Sequence, residues 1–89
     1  MNNIPIGNPH DDFETNKYKE KKELQIHEVL ELLPLKYKTV LVLKFMEGMS
    51  YQEISDVLKI PEGTVATRIN RAKKRFVKMA SDKNISFFD

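Results

Sequence analysis

The sequence predicts an all-α fold: a small four-helix domain with a C-terminal helix-turn-helix. Three observations predict it. Apolar residues recur at helical spacing in four separate stretches. Two prolines and a serine stand where three of the helices would begin. The β-branched run "TVLVL" could pass for a buried strand, but nothing else in the chain offers it a partner, and a lone strand would leave its backbone groups unpaired.

The chain divides into a flexible leader or linker at residues 1 to 11, a helical domain at 12 to 80 and a C-terminal tail at 81 to 89. The opening "MNNIPIGNPH" has turn-forming residues and no periodicity, which predicts disorder there. A first helix is expected near residues 14 to 33, with Ile26, Val29, Leu30 and Leu33 as its apolar stripe and His27 beside it as a surface residue. Pro34 suits the first turn of a second helix, near 35 to 46, because its missing N–H would have no intrahelical partner there. Leu35, Tyr37, Val40, Leu41 and Phe45 keep helical spacing along it, and Gly48 closes it.

Ser50 and Glu53 form a capping box for a third helix near 50 to 59, in which each side chain satisfies the other residue's backbone amide. Its expected inner face is Ile54, Val57 and Leu58, with Ser55 small enough for a crossing helix to approach. Lys59 and Ile60 make a turn, and Pro61 opens a fourth helix near 62 to 80. Gly63 in its first turn costs about 1 kcal/mol against alanine, so something is expected to come close to the backbone there.

Composition excludes several classes. With 89 residues there is room for one helical core but not for a roomy substrate pocket, so no enzymatic activity and no catalytic residues are expected. The chain has no cysteine, and His10 and His27 are isolated, so neither a metal site nor any other cofactor is predicted. No apolar run approaches the roughly 18 residues of a membrane span, and the N-terminus lacks the order of a signal peptide. The expected protein is soluble and cytoplasmic, with no membrane partner.

Charge gives the first functional clue. Residues 61 to 80 carry six cations against Glu62 alone, a net of +5, which leaves the rest of this +2 chain at −3. Such segregation is the footprint of a small domain that binds a polyanion on one face. At about 100° per residue, Val65, Ile69, Ala72 and Phe76 gather as the buried stripe of the fourth helix. Gly63, Thr67, Asn70, Arg71 and Lys74 lie opposite, with Ala66 and Lys73 on one flank and Arg68 and Arg75 on the other. Asn and Arg suit adenine and guanine edges in a major groove, Thr suits a thymine methyl, and longer flanking cations suit phosphates. The amides of Glu62, Gly63 and Thr64 add an anion site at the positive end of the helix.

The stretch "LPLKYKTVLVLKFMEGMSYQEISDVLKIPEGTVATRINRAKKRF" resembles region 4 of bacterial RNA polymerase sigma factors, most closely the extracytoplasmic-function group. The shared pattern is leucine-proline before an aliphatic helix, glycine-x-serine-tyrosine-x-glutamate-isoleucine, then proline-x-glycine-threonine-valine-x-threonine-arginine leading to an arginine-alanine pair, and it covers residues 24 to about 79. The resemblance implies sequence-specific binding of the fourth helix to the promoter minus-35 element, docking on the β flap of core RNA polymerase, and control by an anti-sigma protein. It places DNA contacts at Lys44, Tyr51, Gln52, Ala66, Thr67, Asn70, Arg71 and Lys73. Ala66 departs from the pattern, standing where many members have a cation. Arg68 is expected to be structural, paired with Glu53 of the third helix. No part of the chain matches the promoter-melting region 2 domain, which is expected on the same or a separate polypeptide.

Two rival readings remain at this level. The DNA-binding domain of response regulators shares a similar serine-x-x-glutamate-isoleucine and glycine-threonine-valine run, but usually has threonine-x-arginine-glutamate ahead of it, where this chain has "LPLKYKTVLVL". A protein-interaction module would need a large apolar surface, for which the tail "ISFFD" is the candidate patch.

Overall fold

The computed structural model describes residues 9 to 85, with side chains from Lys17 onward; the predicted leader up to residue 8 and the tail residues 86 to 89, with Phe87 and Phe88, lie outside the described residues. Four α-helices follow in order: α1 (Pro9–Glu31), α2 (Leu35–Leu41), α3 (Tyr51–Leu58) and α4 (Glu62–Asp82). No strand occurs among the described residues, so the β-branched run is helical. The second helix does not run uniformly to its end, because Val42–Met46 forms a π-helical turn. Its wider ring is closed by the Glu47 amide donating to the Val42 carbonyl at 3.0 Å. Gly48 follows at φ +71°, a left-handed conformation that a Cβ resists.

The helices meet in one core. Leu30 of α1, Leu33 in the turn that follows it, Tyr37, Val40 and Leu41 of α2, Ile54 of α3, and Val65, Ile69 and Ala72 of α4 are buried together. The most extensive packing joins α2 to α4, with α3 laid against α4 beside it. Only the last third of α1 reaches this core: Tyr18 and Leu24 are exposed, Ile26 is half-buried, and His27 lies on the surface. The Lys83–Glu28 ion pair at 3.3 Å ties the end of α4 back to α1, where Ala80 is also buried.

Three expectations are corrected. The first helix begins at Pro9, ahead of residue 14, so the predicted leader is helical from that point. Leu35 at 75%, Phe45 at 59% and Val57 at 55% exposure are not core residues, because each projects past the arc that the neighbouring helices cover. The half-buried Ser55 also donates its hydroxyl to the Ile60 carbonyl and closes the turn after α3, where Lys59 takes the left-handed conformation. Finally, no ion pair joins Arg68 to Glu53.

Glu53 is engaged elsewhere. The Ser50 amide donates to its Oε1 at 2.8 Å while the Glu53 amide donates to the Ser50 hydroxyl at 3.1 Å, completing the capping box. The backbone amide of Ser50, and then its hydroxyl, hold the Glu53 carboxyl below its ordinary range. A lowered folded pKa contributes stability above the unfolded value of about 4.3, and that contribution is lost as pH falls through the folded one. In acid thermal melts the wild type should therefore lose stability relative to Glu53→Gln, whose amide oxygen can still accept from Ser50 but does not titrate in this range. Ser50→Ala should cost about 1 kcal/mol at neutral pH.

Candidate nucleic-acid interface

The core stripe of α4 fixes what its other side presents. Val65, Ile69 and Ala72 are fully buried, so the residues half a turn away must face outward. Gly63, Thr64, Thr67, Asn70, Arg71 and Lys74 are all exposed, and Ala66 is half-buried at the edge. From residue 63 to 81 the helix carries no carboxylate. The face is therefore continuous, cationic and populated by small or hydrogen-bonding side chains near its N-terminal end.

That end is open. Pro61 caps the helix without a side-chain hydrogen bond to the first amides, which remain available to an anion. A Cβ built on Gly63 would meet nothing within 4 Å, and its backbone is not left-handed. Nothing among the described residues therefore demands glycine at this position. The close approach expected from the sequence is not supplied by the fold itself.

Aromatic rings hold the flanking cations in place. On one side, the Arg75 guanidinium lies 5.3 Å and the Lys36 ammonium 5.2 Å from the centre of the Tyr37 ring. Beneath them an open cleft of about 410 Å³ runs between the starts of α2 and α4, lined by Lys36, Tyr37, Gly63, Thr64, Arg68 and Arg71 among others. Half-buried Arg68 thus belongs to this cleft rather than to a bridge with α3. Lys36 is a basic residue that the sequence reading missed. Only the crossing of α2 and α4 shows that it shares a surface with Arg71.

On the other flank, Lys73 sits 5.4 Å from the Phe45 ring of the π-helical turn. The neighbouring Lys44 lies 5.0 Å from the Tyr51 ring at the start of α3. These contacts link Lys44, Tyr51 and Lys73, while Gln52 is exposed next to Tyr51. The sequence-predicted residues therefore fall into a central face on α4 and a flanking cluster built from the π-helical turn and α3. Among the described residues, no helix is long and apolar enough to cross a membrane, and no group of three or more acidic, histidine or cysteine side chains could hold a metal ion.

Comparison with known proteins agrees with this architecture. The family model for sigma-70, region 4 matches residues 23–76. The chain is 48% identical over 50 residues to the ECF RNA polymerase sigma factor SigW of Bacillus subtilis, a match covering 56% of this chain and 27% of that protein. It is 40% identical over 53 residues to the RNA polymerase sigma factor SigV of the same organism, covering 60% of this chain and 32% of the relative. A third match, the RNA polymerase sigma-H factor of Pseudomonas aeruginosa, is 40% identical over 52 residues, covering 58% of this chain and 27% of the relative. The matched region spans no more than about a third of the length of these relatives. The match extends through the capped α3, the turn and most of basic α4, the parts from which the interface is built, and the chain belongs to the sigma-70 region 4 family.

Proposed function

We propose that this domain binds the promoter minus-35 element by laying α4 in the major groove, and so directs RNA polymerase to initiate transcription. One observation carries the reading: the exposed side of α4 offers Gly63, Thr67, Asn70, Arg71 and Lys74 with no carboxylate among them. Asn70 would pair with adenine, Arg71 with guanine through two parallel hydrogen bonds, and Thr67 would meet a thymine methyl. Ala66 adds no polar contact. Lys73, Lys74, Arg75 and Lys36 would neutralise phosphates, as would Lys44, Tyr51 and Gln52 on the α3 side. The amides at Gly63 and Thr64 would cradle one phosphate, for which the open space over Gly63 leaves room.

The polymerase core, through its β flap, is the proposed protein partner, with an anti-sigma protein as a regulator. A region 2 domain, on the same or another chain, would melt the promoter. This work would take place in the cytoplasm. The relatives' names as RNA polymerase sigma factors support the polymerase as partner. A pull-down of the chain with core polymerase, followed by sequencing of the retained DNA, should recover one short shared motif. Retention of polymerase with random DNA would contradict the reading.

Two further results separate a DNA reader from a protein-interaction module. Binding should weaken as salt rises, with a log-log slope of about −0.9 per phosphate neutralised, and Lys74→Ala should weaken all duplexes alike and flatten that slope by roughly one phosphate. A slope near zero for the wild type would favour the interaction module. Gly63→Ala should stabilise the free domain by up to about 1 kcal/mol, because the added methyl meets open space, yet weaken DNA binding. Unchanged affinity in a titration would remove the phosphate from the start of α4.

A further inference from the structure

The cleft between the starts of α2 and α4 gathers Lys36 and Tyr37 from one helix and Gly63, Thr64, Arg68 and Arg71 from the other, and no carboxylate is among its lining residues. Three cations therefore share one open volume of about 410 Å³. Their mutual repulsion opposes the empty arrangement, and an anion between them relieves it.

Tyr37 supplies a second, independent observation. It is only 7% exposed, yet among the described residues its hydroxyl makes no hydrogen bond. A buried phenol normally finds a partner, and the cleft that Tyr37 lines is where one can enter. The Lys36 ammonium, 5.2 Å from the centre of the same ring, keeps a positive charge beside it. Across the cleft, the Val65 amide bonds back to the Pro61 carbonyl at 3.0 Å, which leaves the Gly63 and Thr64 amides ahead of it without an intrahelical partner.

We propose that this cleft binds a phosphoryl group, held by the Arg68 guanidinium and the Tyr37 hydroxyl together with the Gly63 and Thr64 amides. The group belongs either to the DNA backbone or to a free phosphate-bearing molecule, and the donors required are the same. In the first case the inference rests on the DNA-binding reading and extends it, making Arg68 and Tyr37 phosphate ligands beside the reading face.

The test titrates the full chain with inorganic pyrophosphate and, separately, with a minus-35 duplex, while amide and arginine side-chain NMR shifts report occupancy. Pyrophosphate should shift Gly63, Thr64 and the Arg68 Nε–H. Tyr37→Phe keeps the buried ring, so it should melt no lower than the wild type, yet bind pyrophosphate about three- to tenfold more weakly, the usual net effect of one hydrogen bond. If a backbone phosphate is the occupant, duplex displaces pyrophosphate and Tyr37→Phe weakens duplex binding by a similar factor. In that case Arg68→Gln should also flatten the duplex salt slope by about 0.9, whereas Tyr37→Phe, which removes no charge, should leave it unchanged. Pyrophosphate retained beside bound duplex assigns the cleft to a free phosphate-bearing ligand. Pyrophosphate binding with no duplex binding would overturn the DNA reading and leave the cleft site standing. Tyr37→Phe binding pyrophosphate as tightly as the wild type, or shifts confined to residues outside the cleft, would overturn the proposal.

Discussion

Arg71→Ala should leave the melting temperature of the domain nearly unchanged while removing roughly 1 to 3 kcal/mol of discrimination at a single base position. The two halves of this expectation come from the same geometry. Arg71 is exposed on the side of α4 opposite Val65, Ile69 and Ala72, so its loss empties no core space and breaks no ion pair among those resolved. A bidentate guanine contact would discriminate, whereas a phosphate contact would not. Binding should be compared on a minus-35 duplex and on duplexes changed one base pair at a time. Loss of affinity spread equally over all of them would demote Arg71 to a phosphate contact. Loss of stability with preference intact would mean that the reading face is misassigned.

Ile69→Ala should destabilise the fold by about 2 to 5 kcal/mol. Ile69 is fully buried and belongs to a cluster to which all four helices contribute, so the cavity cannot collapse by moving one surface loop. Small domains have about 5 to 15 kcal/mol in total, which makes this a large fraction of what holds the chain together. Each kcal/mol is worth about 4–8 °C in melting temperature at this size. DNA binding should fall only in proportion to the unfolded fraction, and Ile69→Val should restore most of both. A variant that melts normally but does not bind would put Ile69 on the wrong face of α4.

These two residues also show how much was legible in advance. In the 21-residue α4 the stripe Val65, Ile69, Ala72 repeats over several turns, so its buried side and its exposed side both follow from spacing. The capping box at Ser50 and the helix starts after Pro34 and Pro61 were legible for a similar reason, since each is a local rule between residues a few positions apart. Leu35 and Val57 failed because a helix of seven or eight residues contains too few turns to show how wide an arc its neighbours cover, and Phe45 because it sits in the π-helical turn, where the 3.6-residue spacing no longer holds. Ala80 and Lys36 depended on helix crossings that one-dimensional spacing does not encode. Two misses had local signals. "NPHDD" combines asparagine, a first-turn proline and two aspartates, the pattern of a helix start near Pro9. The capping-box spacing already gave the Glu53 carboxylate a partner other than Arg68, the Ser50 amide.

The proposed DNA-binding role requires that the exposed side of α4 be the surface that meets promoter DNA. Amide and side-chain NMR shifts during titration with a minus-35 duplex test it most directly. Perturbations should concentrate on Gly63, Thr64, Thr67, Asn70, Arg71 and Lys74, extend to Lys36, Lys44 and Gln52 at the edges, and leave Val77 and Ile85, which line the apolar groove between α1 and α4, unmoved. Shifts concentrated in that groove, with Asn70 and Arg71 silent, would contradict it.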